Sequence, residues 1–153
     1  MTYQQVLIRF FLAVVMGGII GYEREYQKRP AGFITNILVC IGAAITSMIQ
    51  LYLVQDSIDI IGEYPQLTNA LKVDSGRIIS QVVSGIGFLG AGTIIHNKGS
   101  IKGLTTAATL WVVACIGIAV GMGYYFLSIV ATIGVYCVLV LLKKVKFRIQ
   151  DKN

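Results

Sequence analysis

Five long apolar runs dominate this sequence and restrict the folds that it can adopt. They cover residues 6–22, 33–54, 78–95, 104–122 and 124–142. A helix needs about 20 predominantly apolar residues to span a membrane, and only a helix satisfies every backbone polar group of such a segment within the segment itself. The runs therefore predict an all-α membrane protein with about five transmembrane helices.

The composition indicates the same surroundings. Hydrophobic residues make up 56% of the 153 residues and charged residues only 13%, whereas ordinary soluble domains carry about 25% charged residues. A chain this short has too little interior to bury so much apolar surface, so lipid must cover much of it. The first run lacks a small-residue cleavage site, and we expect it to be retained as a span rather than removed as a signal peptide.

The charged residues between the runs predict an orientation. The loops 23–32 and 96–103 and the segment 143–153 are basic, whereas the loop 55–76 carries four acidic residues and one lysine. With five spans the three basic segments lie on one side, and the positive-inside rule then places the N-terminus outside and the C-terminus in the cytoplasm. The net charge of +6 therefore reflects insertion into a membrane rather than binding of nucleic acid.

The same pattern divides the chain into a transmembrane domain, 1–142, and a basic cytoplasmic tail, 143–153. Clustered lysines and arginines attract anionic lipid headgroups, so the tail is a candidate lipid-binding segment. The longest loop, 55–76, contains scattered apolar residues. We predict a short or interfacial helix within it, separate from a second span that ends at 54.

Small residues recur at helical spacing in three of the runs, and such residues let helix backbones approach closely in a membrane. We predict that they form packing faces within two glycine-rich hairpins, which a final helix follows, and that a GxxxG face joins two copies of the chain in a homodimer. The alternative, that the glycines kink or break helices as in transporters, stays open. The residues concerned are Gly17 and Gly21, Gly117 and Gly121, and Ser84, Gly87 and Ala91.

Three of the glycines also match a dinucleotide-binding pattern. Gly85, Gly87 and Gly90 fit G-x-G-x-x-G. That pattern binds pyrophosphate only when it follows a strand and opens a helix, with an acidic residue about 20 positions later. Here the glycines lie inside an apolar run and no such acid follows, so the pattern predicts helix packing and no cofactor.

A charged cluster ends the first run, and its acids need partners. Glu23 and Glu25 lie at a helix C-terminus, where the helix dipole disfavours negative charge. Glu25 and Arg29 have the i,i+4 spacing of an ion pair, whereas Arg24 is expected to reach a carboxylate elsewhere. Two interpretations stay open: a structural salt-bridge network, or a site for a cation or a partner protein, in which Glu23 and Glu25 are the weak metal-ligand candidates.

Further polar residues lie at two depths of the predicted bundle. Near the cytoplasmic ends of the spans they are close in depth to the charged cluster, and we expect one buried hydrogen-bonded layer from Thr35, Asn36, Thr105 and Thr106. At the outer side, Asp74 and Arg77 begin the third span with the i,i+3 spacing of a pair. Asp74 is also suited to cap that span, since an aspartate side chain satisfies free N–H groups at a helix start.

Residue types that are missing from the apolar runs make some function classes less expected. None of the spans carries an acid near its middle, where proton- or ion-coupled carriers usually keep an ionisable group, and this lowers the expectation of transport. The sequence has no Ser/His/Asp arrangement, HExxH or Walker motif. We therefore predict a protein that is not an enzyme and has no catalytic residues.

Four stretches of the chain, together with Asp74 and Arg77, form one recognisable pattern: 18–25, 29–32, 84–92 and 103–111. This pattern resembles that of the MgtC/SapB family of bacterial inner-membrane proteins, over about residues 1–142. The resemblance implies a role in adaptation to low magnesium and in host survival or virulence. It also implies regulation through contacts with other membrane proteins, ATP synthase among them.

The chain departs from the family pattern at two points. It has Asn36 after Thr35 where the family tends to have histidine, so a role of that histidine is not transferred. Longer members add a soluble C-terminal domain, so functions that depend on that domain are not transferred either. We therefore expect a non-enzymatic membrane regulator, with a transporter or channel for Mg²⁺ or another cation as the alternative.

Overall fold

The computed structural model describes residues 1–67, 74, 76–97 and 100–150, with the side chains of all of these except 96, 97 and 142–150. Lys98 and residues 151–153 of the predicted tail lie outside the described residues. Five α-helices fill the described ranges: α1 (Tyr3–Tyr26), α2 (Phe33–Glu63), α3 (Arg77–Gly92), α4 (Leu104–Met122) and α5 (Tyr125–Gln150). Two three-residue antiparallel strands, β1 (Ile95–Asn97) and β2 (Ser100–Lys102), join α3 to α4, and a 3₁₀ turn (Pro65–Leu67) follows α2.

The helices are those of a membrane protein. Among the described residues, α1, α2 and α4 are long and apolar enough to cross a membrane, and the part of α5 from Tyr125 to Leu141 is a shorter apolar helix. Helix α3 has 16 residues. Most described apolar side chains of α5 are exposed on the bundle surface, as Phe126 (82%) illustrates, whereas those of α3 range from the exposed Phe88 (82%) to the buried Ile86 (8%). In lipid, exposure of apolar side chains carries no hydrophobic cost.

Two helices continue past the predicted ends of their spans. Helix α2 runs without a break to Glu63, beyond 54, and its 31 residues make a helix about 46 Å long. That exceeds the hydrocarbon core of about 30 Å, so a span that ends near 54 leaves the end of α2 projecting from the membrane. The first part of the predicted loop 55–76 is therefore helical, and the 3₁₀ turn Pro65–Leu67 follows it. Likewise α5 runs to Gln150, so the backbone of 143–150 continues the last helix.

Glycine contacts define the directions of three helices. A Cβ on Gly21 would lie 2.8 Å from the Cα of Phe33, and one on Gly17 would lie 2.9 Å from the Cβ of Cys40, so α1 and α2 are antiparallel. Gly117 lies against the backbone of Cys40, and Gly121 against that of Ala44 four residues on, so α2 and α4 are parallel. One end of the bundle therefore contains the end of α1 and the starts of α2 and α4; we call it the basic end, after Arg24, Lys28, Arg29 and Lys102.

Both GxxxG motifs are used inside one chain. At Gly17, Gly21, Gly117 and Gly121 an added methyl group would overlap the backbone of α2. The core beside them joins residues of α1, α2 and α4: Ala13, Met16, Ile20, Cys40, Ala44, Val113, Ile116 and Val120. The prediction that a GxxxG face joins two copies of the chain is therefore incompatible with this fold, because α2 of the same chain already packs against both faces.

The small residues of α3 are placed differently. Helix α3 buries Ile86 and Gly90 instead; Ile86 packs with Ala43 of α2 and Ala114 of α4. Ser84, Gly87 and Ala91 are exposed, and a Cβ on Gly87 would meet no atom within 4 Å. The predicted packing face of the third run thus points away from the rest of the described chain. The G-x-G-x-x-G pattern lies in the middle of α3, not at the start of a helix.

Two glycines in the left-handed region make the short connections on either side of α4. Gly103 (φ 93°) precedes α4, and a Cβ there would overlap the carbonyl of Thr93. Gly123 (φ 86°) follows α4, and a Cβ there would lie 2.8 Å from the guanidinium of Arg9. Other residues pay a steric cost for positive φ, so both turns depend on glycine.

We predict that Gly117→Ala destabilises the protein and that Gly42→Ala does not. The methyl group at 117 would overlap the carbonyl oxygen of Cys40, whereas at 42 it meets nothing within 4 Å. Overpacking of this kind costs about 1–3 kcal/mol. Thermal unfolding of the two variants in the same mild detergent measures the difference. Equal melting temperatures would show that α4 does not pack against α2 at this glycine.

Candidate functional site

Arg24 is the central side chain of the basic end. It lies in the last turn of α1 and is only 4% exposed. Its Nη2 donates to the backbone oxygen of Pro30 (3.0 Å) and to Oγ1 of Thr106, the third residue of α4. One guanidinium therefore ties the end of α1 to the loop that follows it and to the start of α4.

Glu25 is satisfied by the start of the next helix. Its Oε2 accepts a hydrogen bond from the backbone N–H of Phe33, the first residue of α2, at 2.7 Å. A carboxylate at a helix N-terminus meets free N–H groups and the positive end of the helix dipole. Gly32 makes room for it, since a Cβ at 32 would lie 2.7 Å from Oε2. This hydrogen bond offsets the unfavourable position of the Glu25 carboxylate at the C-terminal end of α1.

Hydrogen bonds, not ion pairs, hold the two acids. Glu23 is 7% exposed, and its Oε1 accepts from Nε2 of Gln27 at 2.7 Å. Within the described residues no arginine or lysine nitrogen lies within 4.0 Å of either carboxylate. The predicted salt-bridge network is therefore absent from the described residues. The predicted Glu25–Arg29 pair required α1 to continue past Arg29, but α1 ends at Tyr26, so the two side chains are not one helical turn apart. Arg29 is exposed.

Asn36 secures the loop between α1 and α2 from the other side. It is fully buried, and its Nδ2 donates to the backbone oxygens of Ala31 (2.7 Å) and Gly32 (2.8 Å). Arg24 and Asn36 thus bind three successive carbonyls of this loop, at 30, 31 and 32. The loop adopts an uncommon conformation, with Lys28 at φ 52° and Ala31 at φ 55°; such left-handed conformations of non-glycine residues cost about 1–3 kcal/mol each.

Two polar atoms in this cluster have no hydrogen-bond partner among the described residues. They are Nε of Arg24 and Oδ1 of Asn36, both buried. Most buried polar groups in proteins are hydrogen-bonded, and an exception calls for a physical reason. The predicted polar layer is therefore present only in part: Asn36 and Thr106 belong to it. Thr35 instead lines an apolar groove of about 480 Å³ between α2 and α3, and Thr105 is exposed.

The opposite end has its own polar junction, with Gln50 rather than Asp74 at its centre. The buried Gln50 accepts from the backbone N–H of Ile78 (2.9 Å) and donates to the backbone oxygen of Asp74 (3.0 Å). The prediction that Asp74 caps the third span is wrong, since Gly76 occupies the N-cap of α3 and Asp74 binds the N–H of Gly76 instead. Asp74 and Arg77, both described, form no ion pair within 4.0 Å.

Sequence reasoning missed Arg9. This arginine is 9% exposed within α1; its Nη1 donates to the backbone oxygen of Gly121 (2.7 Å) and its Nε to the hydroxyl of Tyr125 (3.3 Å). A cation stabilises the C-terminal end of a helix, where carbonyls are free. The available signal was a single charge inside an apolar run, a position that usually has a specific partner.

Arg9 and Arg24 bind the two ends of the same helix, α4. Arg9 contacts Gly121 near its C-terminus and Arg24 contacts Thr106 near its N-terminus. Arg24 follows Arg9 by about 15 residues, and Gly121 follows Thr106 by the same interval. Each interval corresponds to about 22 Å along a helix axis. The matching intervals fix α1 and α4 in an antiparallel register.

The geometry limits the chemistry that this end supports. In the described part of the chain, no three His, Cys, Asp or Glu residues are grouped so as to hold a metal ion. Glu23 and Glu25 point to different partners, Gln27 and Phe33. The arrangement around Arg24 is that of a buried cation which cross-links helices and which offers one unpaired N–H group.

The sequence of this chain is similar to those of one known protein family. Residues 10–148 match the MgtC family. The chain is 38% identical over 145 residues to Protein MgtC of Salmonella typhimurium LT2, and 37% identical over 151 residues to an Escherichia coli K12 protein named "Putative magnesium transporter YhiD". These alignments cover 95% and 97% of this chain, but 55% and 66% of the respective relatives. An uncharacterized Haemophilus influenzae protein is 39% identical over 129 residues, covering 84% of this chain and 51% of that relative.

The fold and the polar ends define a helical membrane protein whose core is built on glycine contacts. By the match over most of its length, the chain belongs to the MgtC family. It spans about half to two thirds of the length of the curated relatives that it matches. No solved structure matches this chain.

We predict that Glu25→Ala lowers stability more than Glu63→Ala. Both changes remove an exposed glutamate from a helix end, but only Glu25 accepts the N–H of Phe33. Loss of an N-terminal cap costs about 1 kcal/mol. Denaturant titration of the purified variants in detergent compares the two. If Glu63→Ala were the more damaging change, Glu25 would have no capping role.

Proposed function

We propose that this protein is a non-enzymatic membrane regulator of the magnesium response that acts by contact with other membrane proteins. Its family and the names of its relatives support a magnesium-related role. The observation that carries the contact mechanism is the position of α3: both GxxxG faces are filled within the chain, whereas Ser84, Gly87 and Ala91 face outward. Small residues on an exposed helix allow a second helix to approach closely in lipid.

The proposed placement is the bacterial inner membrane, which the chain crosses five times with its N-terminus outside. Alternating helix directions support this placement, since α1 is antiparallel to α2 and α2 is parallel to α4. Arg24, Lys28, Arg29 and Lys102 then face the cytoplasm, as the positive-inside rule requires. Host survival at low magnesium is the proposed setting, and ATP synthase is the proposed partner from the family resemblance.

We predict that Gly87→Leu weakens partner binding and leaves the fold intact. A side chain at 87 enters open space, so the bundle tolerates it, but it would hold a partner helix away from α3. Gly134→Leu is the matched control, because Gly134 is also exposed and unobstructed, on α5. Site-specific photocrosslinking to ATP synthase in bacterial inner membranes should fall about tenfold for Gly87→Leu only, since steric exclusion of one helix contact costs about 1–3 kcal/mol. Equal yields for both variants would count against the α3 surface.

Cation transport is the second candidate function, and the name of the Escherichia coli relative, "Putative magnesium transporter YhiD", favours it. Proteoliposomes containing a magnesium-sensitive dye separate the two proposals. Transport predicts Mg²⁺ entry that Glu23→Gln reduces, since Glu23 is the buried acid of the basic end. The regulator proposal predicts that Mg²⁺ enters no faster than in protein-free liposomes. Sustained Mg²⁺ flux through the wild-type protein would overturn that proposal.

A further inference from the structure

The start of α4 lies open at the basic end. Helix α4 has 19 residues, and its N-cap, Gly103, offers no side-chain hydrogen bond to the first turn. The first N–H groups of a helix have no partner within the helix, and together with the positive end of the dipole they attract anions. This feature alone is common to many helices, and here a second feature accompanies it.

The second feature is the buried guanidinium of Arg24. It lies at the start of α4, where it donates to Thr106, and its Nε has no partner. No carboxylate within the described residues forms an ion pair with it. An unpaired buried charge is costly, so the arrangement calls for an added negative charge. Glu23 and Glu25, the acids at this end, are directed to Gln27 and Phe33.

Asn36 restricts what that anion can be. Its unpaired Oδ1 is an acceptor and requires a hydrogen-bond donor. A carboxylate ion only accepts hydrogen bonds and would leave Oδ1 unsatisfied. A phosphate group with a neighbouring hydroxyl or ammonium group satisfies both atoms: its oxygens accept from Nε and from the α4 N–H groups, and its donor binds Oδ1.

We propose that the start of α4, Arg24 and Asn36 form a binding site for a phosphate group that carries a neighbouring hydrogen-bond donor. Inorganic hydrogen phosphate and a phospholipid headgroup with an ammonium or hydroxyl group share this chemistry. Lys28 and Lys102 lie at the same end of the bundle, and their positive charge draws such anions towards it.

Access requires movement of the loop 27–32, because Nε and Oδ1 have almost no accessible surface in the closed arrangement. The loop is suited to move. Lys28 and Ala31 hold strained left-handed conformations, and the loop is anchored by the same two side chains that bind the phosphate, through Pro30, Ala31 and Gly32. Release of these carbonyls frees N–H groups of Arg24 Nη2 and Asn36 Nδ2, which then donate to the phosphate oxygens.

The test uses the full chain in nanodiscs of phosphatidylcholine, whose headgroup has a phosphate but no N–H or O–H donor. In the first arm, inorganic phosphate is titrated at constant ionic strength against chloride, and ³¹P line broadening and the melting temperature report binding. In the second arm, phosphatidylethanolamine is added to the nanodiscs, and native mass spectrometry reports retained lipid.

We expect saturable binding in at least one arm. We expect Arg24→Gln to reduce that binding about tenfold or more, since it removes a charged hydrogen bond. Arg29→Gln is the matched control, because it removes the same charge from an exposed position at the same end, and it should bind almost as wild type. Thr106→Val removes only a hydroxyl and should weaken binding severalfold; it keeps the test valid if Arg24→Gln does not fold. Asn36→Leu should abolish the preference for phosphatidylethanolamine over phosphatidylcholine.

The two arms distinguish the sources. Binding of inorganic phosphate alone assigns a soluble ligand, and selective retention of phosphatidylethanolamine alone assigns a lipid headgroup. No saturable binding in either arm, or equal losses in Arg24→Gln and Arg29→Gln, would overturn the proposal and leave a bridging water as the partner of the two buried atoms.

Discussion

The close contact of α1 and α4 with one stretch of α2 is the interaction on which the remaining structure depends. Cys40 marks its centre, with Gly17 against its side chain and Gly117 against its backbone. In lipid, helices gain little from burying apolar surface and associate through close packing and hydrogen bonds. Glycine permits that packing because it has no side chain to hold the two helix backbones apart. Helices α3 and α5 lie outside this three-helix contact, and most of the described apolar side chains of α5 are exposed.

The polar ends follow from the same packing. Helix ends meet at each side of the bundle, and each end leaves unsatisfied N–H or C=O groups. Long side chains from a neighbouring helix satisfy three of these ends: Arg9 binds the end of α4, Gln50 the start of α3, and Glu25 the start of α2. At the start of α4 no side chain among the described residues acts as a cap, and the nearby Arg24 has an N–H without a partner among them. That combination is the reason for proposing a ligand at that end.

Much of the helix content was predictable, because a long apolar segment in a membrane satisfies its backbone polar groups by forming a helix. The small-residue faces of α1 and α4 were predictable as packing faces, but their partner was not. Spacing shows that Gly17 and Gly21 share a helix face, and it does not show whether α2 or a second copy covers it. The polar contacts were harder. Glu25 was assigned to Arg29 by local spacing, whereas its partner, the N–H of Phe33, depends on where α2 begins. Gln50 and Arg9 act across 28 and 112 residues, distances that no local rule covers.

The central claim is that the glycine faces pack within a single chain. The direct measurement is the stability difference between wild type and Gly17→Ala over a hundredfold range of protein-to-detergent ratio. An intrachain contact is independent of concentration, whereas a contact between copies weakens on dilution. The account predicts that Gly17→Ala is less stable by the same amount at every ratio, since its methyl group would lie 2.8 Å from the backbone oxygen of Asn36. A difference that disappears on dilution would contradict it and would return the glycine faces to a dimer.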